Sequence, residues 1–238
     1  MRHFTLLLFL PLFLFCRHSA ESPETMLPPP VQTTEKIDLL ALGDSYTKGQ
    51  GVAWNLNFPN QLADTLRTRG YELAGLHVVA QTGWRTDNLQ AALAQPAQSN
   101  VLNDSVFSLV TLCIGVNNMY QNTDFETFKR QYEELLQYAL QRAGQRKERV
   151  IVLSIPDWAF TPYGQGFGNP ALISQKIDQY NAAKRSITES YGIAFVNVTD
   201  VSRRGLEMPE LVASDQLHPS EKQYTEWVRL LLPVVKLD

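Results

Sequence analysis

A parallel β-sheet flanked by helices is the fold class this sequence predicts, on three observations. From residue 36 onward, apolar runs of strand length alternate with longer stretches of helical period, the pattern of an α/β chain. The run Val106 to Ile114 is too continuously apolar through its centre to have a wet face, so it belongs in the middle of a covered sheet. At 238 residues and 44% hydrophobic content the chain can build one medium domain with a substantial core, and no internal repeat is visible.

Ile37-Asp38-Leu39-Leu40-Ala41-Leu42 reads as the first strand, ended by Gly43. A helix from about Pro59 gathers Leu62, Ala63 and Leu66 on one face and stops at Gly70. Leu76 to Ala80 is the second strand; the helix after it begins near Thr86 or Asp87, carries Leu89 and Leu93, and is terminated by Pro96. Val106 to Ile114 is the third strand. Phe125, Phe128, Tyr132, Leu135, Leu136 and Ala139 keep helical spacing up to Gly144, behind a capping Asp124. Val150 to Ile155 is strand four, a long helix spans about Pro170 to Tyr191, and Ile193 to Asn197 is strand five. A last helix starts around Pro219-Ser220-Glu221, proline being favourable in a first turn. Residues 46–58, 158–169 and 198–216 break this grammar and read as loops rich in Gly, Pro and aromatic residues. They leave from the carboxyl ends of the strands, where parallel sheets bind ligands.

The formal net charge of -3 leaves no basic stripe for nucleic acid, and no block of like charge marks a solvating tail. Met1-Arg2-His3 followed by the apolar stretch Phe4 to Phe15 has the layout of a secretory signal. That stretch is short of the roughly 20 apolar residues of a membrane-spanning helix. The expectation is an exported protein, periplasmic, extracellular or lipid-anchored, with no integral span in the mature chain. Residues 1–20 form a signal peptide or lipoprotein leader, 21–35 a Pro-rich spacer, and 36–238 one domain. Cys16 is a candidate lipid anchor, although Phe15 stands where a small residue is usual; cleavage near Ala20 and an uncleaved leader are the alternatives. Cys113, the other of the two cysteines, lies in an apolar run and reads as a core residue, so the mature chain has no internal disulfide. Asn103-Asp104-Ser105 and Asn197-Val198-Thr199 are glycosylation acceptors only in a host that makes such glycans.

Four short blocks carry chemistry. Ser45, in Gly43-Asp44-Ser45-Tyr46, follows strand one, where a tight turn presents its hydroxyl; a serine needs a neighbouring imidazole to become nucleophilic. With His3 and His18 in the leader, that base is His77, inside an apolar run, or His218, which has its own carboxylate. Gly83, in Gln81-Thr82-Gly83-Trp84, lets the backbone approach a ligand and donate its N–H. Asn117, in Gly115-Val116-Asn117-Asn118, offers an amide to an oxygen that becomes negative during acyl transfer. Asp215-Gln216-Leu217-His218 lets a carboxylate hold an imidazole in the tautomer that accepts a serine proton. Each block alone also reads as an ordinary turn or cap; together they follow strands one, two and three and the last loop, and converge on one rim.

In their order and identity these blocks resemble those of the SGNH, or GDSL, hydrolases, over about Lys36 to the C-terminal helix. The resemblance implies a flavodoxin-like three-layer α/β/α fold with a parallel five-stranded sheet, and hydrolysis of esters or thioesters without cofactor or metal. It further implies Ser45 as nucleophile, His218 as base, Asp215 as its orienter, and an oxyanion hole of Ser45 N–H, Gly83 N–H and the Asn117 side chain. Two positions depart from the family pattern: Tyr46 replaces the usual leucine, and Asn118 replaces the aspartate that commonly follows the key asparagine. The second puts in doubt the hydrogen bonds that brace its loop. An alpha/beta-hydrolase elbow is excluded because Ser45 is followed by Tyr46-Thr47 rather than by the required glycine, and too few histidines remain for a metal hydrolase.

Substrate choice rests on aromatic residues in or near the rim loops: Tyr46, Trp84, Trp158 and Tyr163 foremost, with Trp54, Phe58, Phe160 and Phe167. Such rings suit a sugar or an acyl chain equally. Export and the absence of a long apolar lid favour a short acyl group, acetyl above others, on a carbohydrate or similar polar scaffold. A lysophospholipase or thioesterase acting on longer chains and a non-catalytic glycan-binding module are the competing readings.

Overall fold

All five apolar runs become strands of one sheet in the computed structural model, which describes Met1, residues 36–95, Leu102 and residues 105–237. Residues 2–35, where a leader and spacer with Cys16 and Ala20 are expected, and Pro96, Asn103 and Asp104 lie outside the described residues. The strands are β1 (Ile37–Gly43), β2 (Leu73–Ala80), β3 (Leu109–Cys113), β4 (Val150–Leu153) and β5 (Ala194–Val196). They pair in parallel in the order β2-β1-β3-β4-β5. The chain thus steps from β1 to one side and then to the other, leaving a crevice between β1 and β3 at their carboxyl ends.

Every residue of β3 and β4 is buried, and all of β1 except the half-buried Asp38. Successive side chains of a strand point to opposite faces, so both faces of the sheet are covered. The helices that cover them are α1 (Ser45–Lys48), α2 (Phe58–Thr68), α3 (Thr86–Leu93), α4 (Val116–Tyr120), α5 (Phe125–Arg142), α6 (Pro162–Gly166), α7 (Pro170–Ser190), α8 (Thr199–Ser202) and α9 (Glu221–Leu231). α2 packs on α9, while α5 packs between α3 and α7. This is the flavodoxin-like three-layer arrangement. α2 buries Leu62, Ala63 and Leu66 on its inner face, and Asp124 caps α5 by accepting the Thr127 N–H at 2.8 Å.

Several ends differ from the sequence expectation for local reasons. β3 starts at Leu109 because Val106 is exposed and the Phe107 N–H is bonded to the Arg142 carbonyl at the end of α5. β4 stops at Leu153 because the Ser154 hydroxyl turns to accept the N–H groups of Val198 and Thr199. β2 begins earlier than expected, at Leu73, where the edge of the sheet leaves the strand half wet and its apolar pattern weak. The last helix opens at Glu221 with Ser220 as its cap, and Pro219 precedes the helix in a bridge to Val212. Residues 46–58, 158–169 and 198–216 are not plain loops: they contain α1, α6 and α8 and short 3-10 turns. The Asn197 amide is engaged with Asp200, Ser154 and the Thr199 N–H, so it belongs to the fold's own bonding. Among the described residues no helix is long and apolar enough to cross a membrane.

Candidate active site

β1 delivers the chain to Gly43, where even one added carbon would lie 2.1 Å from Thr47 Oγ1 and 2.3 Å from the Cys113 carbonyl oxygen. Only glycine permits that approach. Asp44 is fully buried, and its Oδ1 accepts the Tyr46 N–H at 3.0 Å, which caps α1 and sets Ser45 at the first helical position. The serine is thus held by a built turn over the switch-point crevice.

From the far end of the chain, the loop before α9 brings His218 to it. His218 Nε2 lies 3.1 Å from Ser45 Oγ, and His218 Nδ1 lies 2.7 Å from Asp215 Oδ2. The other carboxylate oxygen of Asp215 accepts the N–H groups of Leu217 and His218 at 3.0 and 2.9 Å, so the turn fixes acid and ring together. Burial pushes the Asp215 pKa up, but the His218 and Leu217 N–H groups and the His218 ring outweigh it and hold the carboxyl below its ordinary range. A carboxylate on Nδ1 keeps the proton there and leaves the Nε2 lone pair for the serine hydroxyl. Tyr46, where the family usually has leucine, sets its ring edge-on to the imidazole at 5.8 Å. His77, the other base considered, sits on β2 with its Nε2 3.6 Å from Asp38 and its ring on Phe107, and does not line the cleft.

The wall facing this row is made by the turn after β2 and by α4. Gly83 has φ of 81°, a left-handed conformation that favours glycine, and a side chain there would enter open space. Two amides four residues apart grip its backbone: Asn117 Nδ2 donates to the Trp84 carbonyl at 2.9 Å, and Gln121 Nε2 to the Gly83 carbonyl at 3.1 Å. Arg85 donates to Gln121 Oε1 at 2.6 Å and makes a two-point contact with Asp87 at 2.9 and 2.6 Å. Asn118 accepts the Thr86 N–H at 3.0 Å and donates to its hydroxyl at 2.7 Å, so the asparagine braces this loop. Each Asn amide has two donor hydrogens, and Asn117 needs only one for Trp84.

Between the two walls opens a cleft of about 210 Å³. Ser45, Gly83, Asn117 and His218 line it, as do Tyr46, Trp158 and Tyr163. Trp84 does not: its ring packs against the core, and only its carbonyl serves the site. Phe58 is fully buried and Phe160 packs on the core, while Trp54 is exposed away from the cleft. Thr82, Val116, Tyr120 and Leu217 also line the cleft and were not singled out from the sequence. Tyr120 carried a signal, since it stands one helical turn beyond Asn117.

Beneath the serine turn lies a fully buried group of ionisable side chains. Lys184 on α7 donates to the Leu153 carbonyl at 2.9 Å and lies 5.6 Å from the centre of the Tyr132 ring. Burial lowers its pKa to about 8, and burial raises that of Asp44 to about 7, the Lys184 charge pulling Asp44 back down. Cys113 is buried and unpaired, as a core residue, with its thiol pushed up to about 12 by burial. Among the described residues no group of three or more His, Cys, Asp or Glu side chains gathers to hold a metal.

A parallel 2-1-3-4-5 sheet with a hydroxyl, an imidazole and a carboxylate in one hydrogen-bonded row at its switch point is the layout of an α/β hydrolytic enzyme. The chain belongs to the GDSL-like Lipase/Acylhydrolase family, whose model matches residues 41–225, and it is a carboxylic ester hydrolase. Among solved structures it is similar to TesA, with a TM-score of 0.63 at 16% identity, over 84% of this chain and 98% of that one. A lipase/acylhydrolase from Enterococcus faecalis gives 0.62 at 15% identity, over 85% and 98% of the two chains. Axe2, an acetylxylan esterase from Geobacillus stearothermophilus, gives 0.58 at 20% identity, over 85% and 95%. At such identities these likenesses show the shared fold alone. No curated protein matches the chain significantly in sequence.

Proposed function

We propose that this hydrolase is an exported serine esterase that removes short acyl groups, acetyl above others, from a carbohydrate or similar polar scaffold. The observation that carries the mechanism is the row Ser45–His218–Asp215, with links of 3.1 and 2.7 Å, opening on a small cleft. Ser45 Oγ attacks the ester carbonyl carbon while His218 Nε2 takes its proton, and Asp215 stabilises the imidazolium. The carbonyl oxygen gains the electron pair and is held by the N–H groups of Ser45 and Gly83 and by the Asn117 amide. When the C–O bond to the alcohol breaks, His218 returns the proton to the departing oxygen and an acyl-serine remains. Water, deprotonated by the same imidazole, then attacks the acyl carbon and releases the acid and Ser45.

The small volume of the cleft, about 210 Å³, supports a short acyl group, and the apolar leader of residues 4–15 supports export. Initial rates on acetyl, butyryl, octanoyl and palmitoyl esters of one alcohol test the reading. The expected order falls steeply from acetyl to palmitoyl; a maximum at octanoyl or beyond would establish the long-chain alternative instead. Export and the fate of Cys16 are tested by mass measurement of the N-terminal peptide of protein recovered outside the cytoplasm. The expected product begins after the leader or carries lipid on Cys16; an intact Met1 terminus assigns an uncleaved leader, and recovery of the protein from the cytoplasm alone contradicts export.

A further inference from the structure

Tyr120, Tyr163 and Phe167 are 45%, 40% and 45% exposed, three of the four exposed aromatic residues described. Unlike isolated surface rings, they are packed on one another: Tyr163 stacks on Phe167 at 5.7 Å and 19°, and Tyr120 lies 5.5 Å from Phe167. The buried Trp158 backs all three, at 5.9 Å from Tyr120, 6.1 Å from Tyr163 and 5.4 Å from Phe167. Three separate segments, α4, the 3-10 turn at Trp158–Phe160 and the α6 region, contribute to this shelf. It is continuous with the cleft, since Tyr120, Trp158 and Tyr163 line both.

The chemistry of the shelf selects among ligands. Among the described residues that line the cleft there is no Lys, Arg, Asp or Glu, so these offer no permanent charge to the phosphate or the cation of a lipid headgroup. An alkyl chain laid on an open shelf keeps one side in water and has no use for phenol hydroxyls, whereas the cleft beside Ser45 has room for a short acyl group. A neutral sugar ring presents an apolar C–H face bordered by hydroxyls, and the shelf presents exposed aromatic surface beside the phenols of Tyr120 and Tyr163, which interact with each other. We infer that the Tyr120–Tyr163–Phe167 shelf is a subsite for a neutral sugar ring of the alcohol, one that sets specificity without taking part in bond breaking. This rests on the acyl-sugar reading proposed above.

Two measurements test it. Ser45→Ala protein is titrated calorimetrically with cellohexaose, xylohexaose and chitohexaose in turn, and the titration is repeated with Phe167→Ala added. At least one oligosaccharide is expected to bind, and Phe167→Ala to weaken it about 3- to 10-fold, the scale of one aromatic contact. Absence of binding by all three, or equal binding by the double variant, overturns the subsite. In the second, kcat/KM of otherwise native protein is measured on acetylated oligosaccharides, vinyl acetate and an octanoyl ester. The ratio of oligosaccharide to vinyl acetate is expected to fall about 3- to 10-fold in Phe167→Ala; a fall confined to the octanoyl ester assigns the shelf to the acyl chain and overturns the inference. Thermal unfolding checks that Phe167→Ala stays folded, and Phe167→Leu, which keeps apolar bulk without a π face, serves if it does not. If the native enzyme cleaves vinyl acetate but no acetylated oligosaccharide, the acyl-sugar reading fails and the titration alone decides the shelf.

Discussion

Two histidines of this molecule each stand beside an aspartate, yet only one of the two reaches a serine hydroxyl. His77 and Asp38 lie on neighbouring strands β2 and β1, 3.6 Å apart and each about one third exposed. His218 and Asp215 lie in one turn, 2.7 Å apart, with the acid's second oxygen fixed by two backbone N–H groups and the ring's far nitrogen on Ser45. The residue types are the same in both places. What differs is position relative to the switch point of the sheet, and a turn that fixes acid and imidazole together. On the proposed mechanism, placement by backbone, more than the presence of a charge partner, separates the catalytic pair from the other.

The sharpest break of that comparison is deletion of each histidine. Ser45→Ala and His218→Ala are expected to lower kcat on a short activated ester by about 10⁴- to 10⁶-fold, while His77→Ala stays within about twofold. Comparable losses from both histidine variants would erase the distinction. Asp215→Asn is expected to cost about 10³- to 10⁴-fold in kcat, because the imidazole then adopts the wrong tautomer; Asp38→Asn, assayed beside it, changes little.

Smaller effects belong to the facing wall. Asn117→Ala is expected to cost about 10²- to 10³-fold in kcat, as loss of one oxyanion donor does, and an unchanged rate removes Asn117 from the site. Gln121 is not among the residues that line the cleft but grips the Gly83 carbonyl, so Gln121→Ala is expected to lower kcat about 10-fold with KM nearly constant, a donor misaligned rather than deleted. A change in KM alone would make Gln121 a binding residue instead.

The smallest effect is one of pH. Because Asp215 is held below its ordinary pKa, the folded chain binds that proton less tightly than the unfolded chain. Its stabilising contribution is fully present above the unfolded carboxylate value, about pH 4, and is lost as pH falls through the lower folded value. Asp215→Asn has no such proton, so its thermal unfolding curve and that of the native protein are expected to converge between pH 6 and pH 3. A gap that stays constant contradicts the assigned shift.

The sheet and the Asp215–His218 pair were legible because both are written in short-range patterns, whereas the link from His218 to Ser45, 173 residues away, was reached only through the order of blocks shared with a known family. Apolar runs announce β1, β3 and β4, and Asp215 and His218 are three residues apart in one turn. The Gln121 grip on Gly83 was not legible, because no block marks Gln121 and the polar residues of its helix look like an ordinary solvated face. Trp84 misled for the related reason that a ring in a rim loop can face inward as readily as outward, and here the core takes it. Strand ends slipped where a backbone N–H found a partner outside the sheet, as at Phe107, which no local pattern foretells.

The central claim is that His218 activates Ser45. Its most direct test is the rate at which an alkyl fluorophosphonate modifies the protein, with the adduct located by peptide mass mapping. One adduct on Ser45 is expected, formed at least about 10³-fold more slowly in His218→Ala and at the native rate in His77→Ala. An adduct elsewhere, or equal labelling of Ser45 without His218, would contradict the account.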